Sequence, residues 1–470
     1  MRILLPTGTT TEEMVRKAAG GYDADVVVTG EIASFLTPHR LNEILKSGHY
    51  DMVIVPGMST ASFGQVERET GVPVYRGPRH AADLAMILPL IGKITLSRTI
   101  PADEFLTSQR AAEAMARVET RERGAGCDCL IRGLKIGGGS RMKVLAEIMD
   151  AHRCGEIRER VERFFSSGAD IVDLGFGFDA TPADVTRTFS ALDGIDRPLA
   201  ADTQDPSLIR AALARADIIL SLQEENIPLV GKEVAEAGVA AVIVPGAATL
   251  AQNIGLAKRA GIRCIVADPL LRPAGSGLVV SLKNFKNGRY PLFFGAGNVA
   301  ELLDADSIGA NALLAGMAME LGAAMIFTSE HSDKTRGSVR EMRRATEMMS
   351  LARDRPYPKD LGIDLLVLKE KRRRCEPPLE YGTVVMAEEM PDELEYDPKG
   401  NFRIGIEGDQ IVAVIHGSAV KGTRWQDVLY TLLSRGNVSL LDHAGYLGRE
   451  LYKAELAIRY GRSFEQDGEF

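Results

Sequence analysis

Little cysteine, no long apolar run and no excess of basic charge mark this chain of 470 residues, and each shortage excludes something. Its five cysteines (Cys127, Cys129, Cys154, Cys264 and Cys375) are too few and too scattered for a disulfide framework, which points to a reducing compartment. The longest apolar run, Ala81–Gly92, is broken by Asp83 and Pro89 and is too short to span a bilayer. No basic and apolar leader precedes the first strand at Met1, so a soluble cytoplasmic protein is the expectation, with no membrane partner. A net charge of −8 argues against non-specific binding to nucleic acid. What is present is an ordinary globular composition, 45% hydrophobic and 26% charged, with apolar material for more than one core.

Residues 1–100 alternate buried strand patterns (Ile3–Pro6, Asp25–Thr29, Asp51–Pro56) with amphipathic stretches at Thr11–Ala19 and Pro38–Lys46. This predicts a small parallel α/β domain, and without a Gly-x-Gly-x-x-Gly turn nothing in it specifies a dinucleotide. A charged stretch at 101–127 reads as a linker with a helix at Ala111–Arg123. From residue 128 to about 355, short β-like runs recur at Leu130–Ile136, Asp170–Leu174, Pro198–Asp202, Asp217–Leu222, Val239–Pro245, Arg263–Asp268, Leu292–Gly295 and Ala324–Thr328. Helical patterns alternate with them, the first at Arg141–Ala151. Eight such units predict a closed (β/α)₈ TIM barrel in preference to an open doubly wound sheet. After a basic run, Lys369–Arg374, and a Pro377-Pro378 break, residues 376–470 read as an α+β domain. It holds a hairpin turning at Gly408-Asp409 and helices at Trp425–Ser434 and Asp442–Tyr460.

A TIM barrel does its chemistry at the carboxyl ends of its strands. There the sequence places Asp173, Asp202 with Thr203, Ser221 and Gln223, Asp268, Asn298, Ser329 and His331. Buried carboxylates are costly unless they meet donors, so several on one mouth without matching Lys or Arg imply a ligand that supplies donors. A pterin does this: its 2-amino group and neighbouring ring N–H present half a guanidinium to a carboxylate. An amide such as Asn298 can answer the ring's carbonyl and nitrogens. The alternative for each aspartate is a helix cap. The remaining cysteines and histidines, His39, His49, His80 and His152 among them, show no metal-ligand spacing, so no metal site is read from them.

Several of these segments resemble dihydropteroate synthases. Ser167-Gly-Ala-Asp-Ile-Val-Asp-Leu-Gly175 is similar to their second strand, Asp202-Thr203 to their third, and Asp268-Pro269 to their sixth. The likeness covers roughly residues 130–340. With the extra domains at both ends, the chain resembles the dihydropteroate synthase-related proteins of archaea that use tetrahydromethanopterin. The resemblance implies that Asp202 and Asp268 hold the pterin ring, and that the protein is a homodimer. It also shows departures. The magnesium- and diphosphate-binding Asn after the first strand is replaced by Leu134-Lys-Ile-Gly-Gly-Gly139. The arginine of the second loop is gone in Phe178-Asp-Ala-Thr-Pro182, and Arg-x-His is reduced to Ser329-Glu-His331. Lys135, Arg141 and Arg272, with Arg132 and Lys143, are the candidates to replace the lost phosphate contacts, aided by the glycine loop. Magnesium is an open cofactor expectation.

Gly295-Ala-Gly-Asn298 resembles instead the asparagine segment of methyltetrahydrofolate–corrinoid methyltransferases. The stretch Asp442–Glu455 is similar to part of a corrinoid-binding methyltransferase subunit, which makes His443 a candidate cobalt ligand. Three readings follow: a synthase-like transferase joining a reduced pterin to an aryl amine, with Asp268 and Asn298 in catalytic positions; a methyl-tetrahydromethanopterin-dependent corrinoid methyltransferase; or a non-catalytic pterin-binding protein.

Overall fold

The computed structural model describes residues 1–468 apart from 287, 355–356, 360, 369–381, 383 and 388–395. The basic run Lys369–Arg374, Cys375 and the Pro377-Pro378 break therefore lie outside the described residues. The chain divides into two compact units, residues 1–377 and 378–470.

The first unit opens with a parallel sheet of β1 (Ile3–Gly8), β2 (Ala24–Gly30), β3 (Met52–Val55) and β4 (Val74–Arg76), in the order β2-β1-β3-β4. Leu4, Val53 and Val55 pack one face against the helix Pro38–Lys46, while Ile3, Leu5 and Ile54 face Val15 and Ile87 on the other. Two apolar faces explain why these strands read as continuous hydrophobic runs. The helix Ala102–Gly124 follows and lays Ala114 and Val118 against Met348 and Leu351 of the barrel's final helix, Ser338–Ala352.

Next comes a small antiparallel hairpin, β5 (Cys129–Ile131) and β6 (Leu134–Ile136). Eight parallel strands then close into a barrel: β7 (Lys143–Ile148), β8 (Ile171–Gly175), β9 (Leu199–Asp202), β10 (Ile218–Leu222), β11 (Ala240–Ile243), β12 (Ile265–Ala267), β13 (Leu292–Phe294) and β14 (Ala323–Ser329). This is the TIM barrel expected, with its first strand one element later than the sequence reading. Leu130–Ile136 is the hairpin, and Arg141–Ala151, read as a helix, contains β7. The error has a physical source: Lys143 and Glu147 lie four apart and mimic a charged helix face. In the barrel both are inward residues of one strand, in phase with the buried Leu145.

The hairpin forms the barrel's floor. Ile131 and Ile136 pack with Leu145, Ile171, Val242, Val266 and Met325 inside the strands' amino-terminal ends. Cys129 of the hairpin is bonded to Cys264, which directly precedes β12. This one disulfide falls short of a framework, which the five scattered cysteines did not suggest, but it is a pairing that the expectation of a reducing compartment did not foresee. Outside the barrel, Val172, Leu174, Ala201 and Ile219 alternate with the inward residues and meet helices such as Pro182–Ala191, whose start carries a reciprocal Thr181–Asp184 capping box.

The second unit is a three-stranded antiparallel sheet, β15 (Arg403–Glu407), β16 (Gln410–Ile415) and β17 (Ser418–Gly422), covered by the helices Trp425–Ser434 and Leu441–Tyr460. No helix among the described residues is long and apolar enough to cross a membrane.

Candidate active site at the barrel mouth

Strand alternation decides which side chains enter the barrel. On β7, β8 and β9 the inward positions beyond the apolar floor are Glu147, Asp173 and Asp202. These three bring carboxylate oxygens within 4.8 Å of one another. Asp268, directly after β12, completes the group. Asp173 is fully buried, and both its oxygens lack a hydrogen-bond partner among the described residues; the nearby Leu174 N–H eases its charge without meeting bonding geometry. Asp202 accepts a hydrogen bond from Ser221 Oγ at 2.9 Å, and Asp268 accepts one from the Leu270 N–H at 2.8 Å. Ser221 and Leu270 both have left-handed backbones (φ 66° and 64°). Non-glycine residues in that conformation concentrate at functional sites.

The electrostatics follow from burial without cations. Burial pushes Glu147 up to about 7, with the charges of Asp202, Glu301 and Asp150 adding to the shift. Burial raises Asp268 to about 7 against the help of the Leu270 N–H. Asp173 is held well above the ordinary carboxylate range by burial, then by Asp202 and Glu147. Burial also raises Asp202, opposed by Ser221. No Lys or Arg among the described residues is one of the groups that shift any of the four. A mouth built this way holds protons, a cation or a ligand rich in N–H donors.

The remaining predicted residues divide. Gln223 donates its backbone N–H to Asn226 Oδ1 at 2.9 Å. Asn226, buried and unnoticed in the sequence, also donates to the carbonyls of Gln204 and Ser221 and so braces the third and fourth loops. Asn298 is exposed on the rim, in a helical turn at Gly297–Ala300. That turn lies so close to β14 that a Cβ on Gly297 would come within 2.6 Å of the Phe327 ring. The His331 side chain is exposed, while its backbone N–H donates to Glu301, which also takes the hydroxyls of Ser329, Ser332 and Thr335. Arg272 stands exposed in the loop after Asp268, on the mouth side.

Lys135 and Arg141 do not reach the mouth, and their assignment to a phosphate is corrected. Both precede β7 and lie at the floor. Lys135 Nζ donates to the carbonyls of Glu122, Arg123 and Ala125, closing the end of the helix Ala102–Gly124. Arg141 is buried and donates through Nη2 to both carboxylate oxygens of Asp170, at 2.6 and 2.8 Å. The glycine loop is at the floor too, with the Gly138 N–H donated to Asp128. A cleft of about 540 Å³ lined by Gly137–Met142 with Met349, Ser350 and Arg353 opens at this end, away from the carboxylates. Lys143 is buried against Glu122 at 2.9 Å.

In the second unit, His443 lies in the first turn of the helix Leu441–Tyr460. Its Nδ1 lies 3.1 Å from Asp397, which also accepts from Ser439 and the Leu440 N–H, and its ring packs between Phe402 and Tyr446. These contacts account for the histidine as an anchor of the domain.

Two groupings among the described residues have the types and closeness to hold a metal: Glu147 with Asp173 and Asp202, and Asp150 with His152 and Asp179. Glu147 was missed in the sequence because its strand was read as a helix.

The chain is 34% identical to an uncharacterized protein of Methanocaldococcus jannaschii over 517 aligned residues, covering 99% of this chain and 98% of that one. The two share one family. The family model PterinBD-DUF4346 matches residues 396–467 of the second unit. Among solved structures, this chain is similar to dihydropteroate synthase from Thermus thermophilus (20% identity, 46% of this chain and 96% of that one, TM-score 0.37). It is also similar to the Yersinia pestis enzyme with a pterine-sulfa conjugate (21% identity, 48% and 98% coverage, TM-score 0.39).

Proposed function

We propose that the barrel mouth binds a reduced pterin of the tetrahydromethanopterin or folate type, and that the protein joins it to an aryl amine as a synthase-like transferase. The observation that carries the reading is Asp173: a fully buried carboxyl with no partner for either oxygen among the described residues, next to Glu147 and Asp202. Burial of that kind is costly unless a donor arrives. The 2-amino and ring N–H groups of a pterin are paired donors that suit ionised Asp202, Asp268 or Asp173. Ser221 keeps Asp202 in place, and Asn298 on the rim supplies both a donor and an acceptor.

Joining a pterin to an amine by loss of diphosphate needs positive charge near the leaving group. With Lys135 and Arg141 committed to the floor, Arg272 is the basic candidate left on the mouth side from the sequence. The test is direct. Full-length protein mixed with hydroxymethyl-dihydropterin diphosphate and p-aminobenzoate should release diphosphate, and Arg272→Ala should slow that release about tenfold or more. Pterin binding without diphosphate release would leave a binding protein. A visible spectral change on adding cobalamin, lost in His443→Ala, would favour methyl transfer instead.

A further inference from the structure

Beside the carboxylates, on the rim above β7 and β8, a separate group of side chains is unaccounted for by the pterin reading. Beyond β7 the chain turns through Asp150 in a left-handed conformation (φ 46°) into a short helical turn, Ala151–Arg153, which carries His152. The loop after β8 brings in Asp179. One ligand atom from each of Asp150, His152 and Asp179 lies within 4.8 Å of the others.

The histidine is the telling member. Its side chain is 6% exposed, and neither ring nitrogen finds a hydrogen-bond partner among the described residues. Nε2 stops 3.6 Å from the Asp179 carboxylate, outside bonding range, and the ring rests near Phe176. An imidazole buried with both nitrogens unmet is uncommon and costly. The carboxylates around it are exposed, so an ion has a way in. They converge where residue 177 has no side chain: a Cβ on Gly177 would sit 2.7 Å from Asp150 Oδ1 and 3.2 Å from Asp179 Oδ1. Arg153 also pairs with Asp179, and a carboxylate's second oxygen remains for another partner.

We propose that Asp150, His152 and Asp179 form a binding site for a divalent cation of the zinc or manganese class at the barrel rim. One nitrogen and two carboxylates suit a borderline ion better than calcium, which prefers six or more oxygens. Two ionised carboxylates and a neutral imidazole balance a charge of +2. Three protein ligands leave coordination positions open to water or to a ligand in the mouth. The site stands whether or not the mouth binds a pterin.

The test uses full-length protein freed of metal with a chelator and titrated by calorimetry with zinc chloride. Loss of the free manganese(II) resonance on adding protein gives an independent readout. A single equivalent should bind, and Asp150→Asn and Asp179→Asn, both isosteric changes at exposed positions, should each weaken it by about 10–100-fold. His152→Ala should abolish it, and Asp173→Asn should leave it unchanged. The proposal is overturned if the unaltered protein binds neither ion below millimolar concentration. It is equally overturned if the Asp150→Asn/Asp179→Asn double variant binds as tightly as the parent, or if only Asp173→Asn loses the metal.

Discussion

The two ends of the barrel treat buried charge in opposite ways. At the floor, Asp170 is buried but accepts on both oxygens from Arg141 Nη2, from Arg343 at 3.1 Å and from the Val144 N–H at 2.8 Å. These partners hold its carboxyl below the usual range despite burial. At the mouth, Asp173 lies further along the same stretch of chain, inside β8, is as deeply buried, and has no such partners among the described residues. One strand and its approach therefore carry two aspartates with opposite shifts. The contrast separates charge that holds the fold from charge kept available for a ligand, as expected where function is built at the carboxyl ends of the strands.

The largest effect expected from breaking this contrast is at the floor. Asp170→Ala leaves the buried Arg141 guanidinium without its carboxylate, while Arg343 keeps Glu347, and should destabilise the protein by roughly 3–5 kcal/mol in denaturant unfolding, the usual consequence of leaving buried charge unpaired. Pterin affinity of the protein that remains folded should not change. At the mouth the order reverses. Asp268→Ala should weaken binding of a reduced pterin by about 2–4 kcal/mol in calorimetry, because it removes an acceptor from desolvated donors, with little loss of stability.

A subtler outcome follows from the sign of the shifts. An acid whose folded-state value lies above its unfolded one costs the fold stability as pH rises between the two. For Asp268 that window runs from 3.8 to about 7. Asp268→Asn should therefore stabilise the ligand-free protein by about 1–3 kcal/mol at pH 8, an effect that shrinks towards pH 4. By the same logic, pterin affinity should rise between pH 6 and 8 as Glu147 and Asp268 ionise and become better acceptors. Affinity flat across that range would mean the carboxyls engage the ligand as neutral acids. The smallest expected change is at Phe178, fully exposed in the loop after β8. If it covers the ring, Phe178→Ala should weaken binding by about 0.5–1 kcal/mol.

Legibility in the sequence followed the same division. Asp202 and Asp268 could be found because each ends a short apolar run, and Asp173 because it lies near the end of one, where periodicity marks a strand and its exit. Glu147 could not, because Lys143 and Glu147 placed charges inside a strand at helical spacing. The same displacement made Leu130–Ile136 look like the first barrel strand and put Lys135 near a phosphate it does not reach. Partners distant in sequence were also out of view. Nothing local links Arg141 to Asp170 or Cys129 to Cys264, and only closure of the barrel brings them together. His152 looked like one more packing histidine, since the loop that delivers Asp179 comes from another strand.

The most direct test is calorimetry of a reduced pterin with the unaltered protein and with Asp173→Asn, at pH 8. Saturable binding to the former, reduced about tenfold or more in the latter while its unfolding midpoint holds or rises, is the predicted result. No heat with the unaltered protein, or equal affinity in both, would contradict the claim that the unpartnered acids at the barrel mouth await a donor-rich ring.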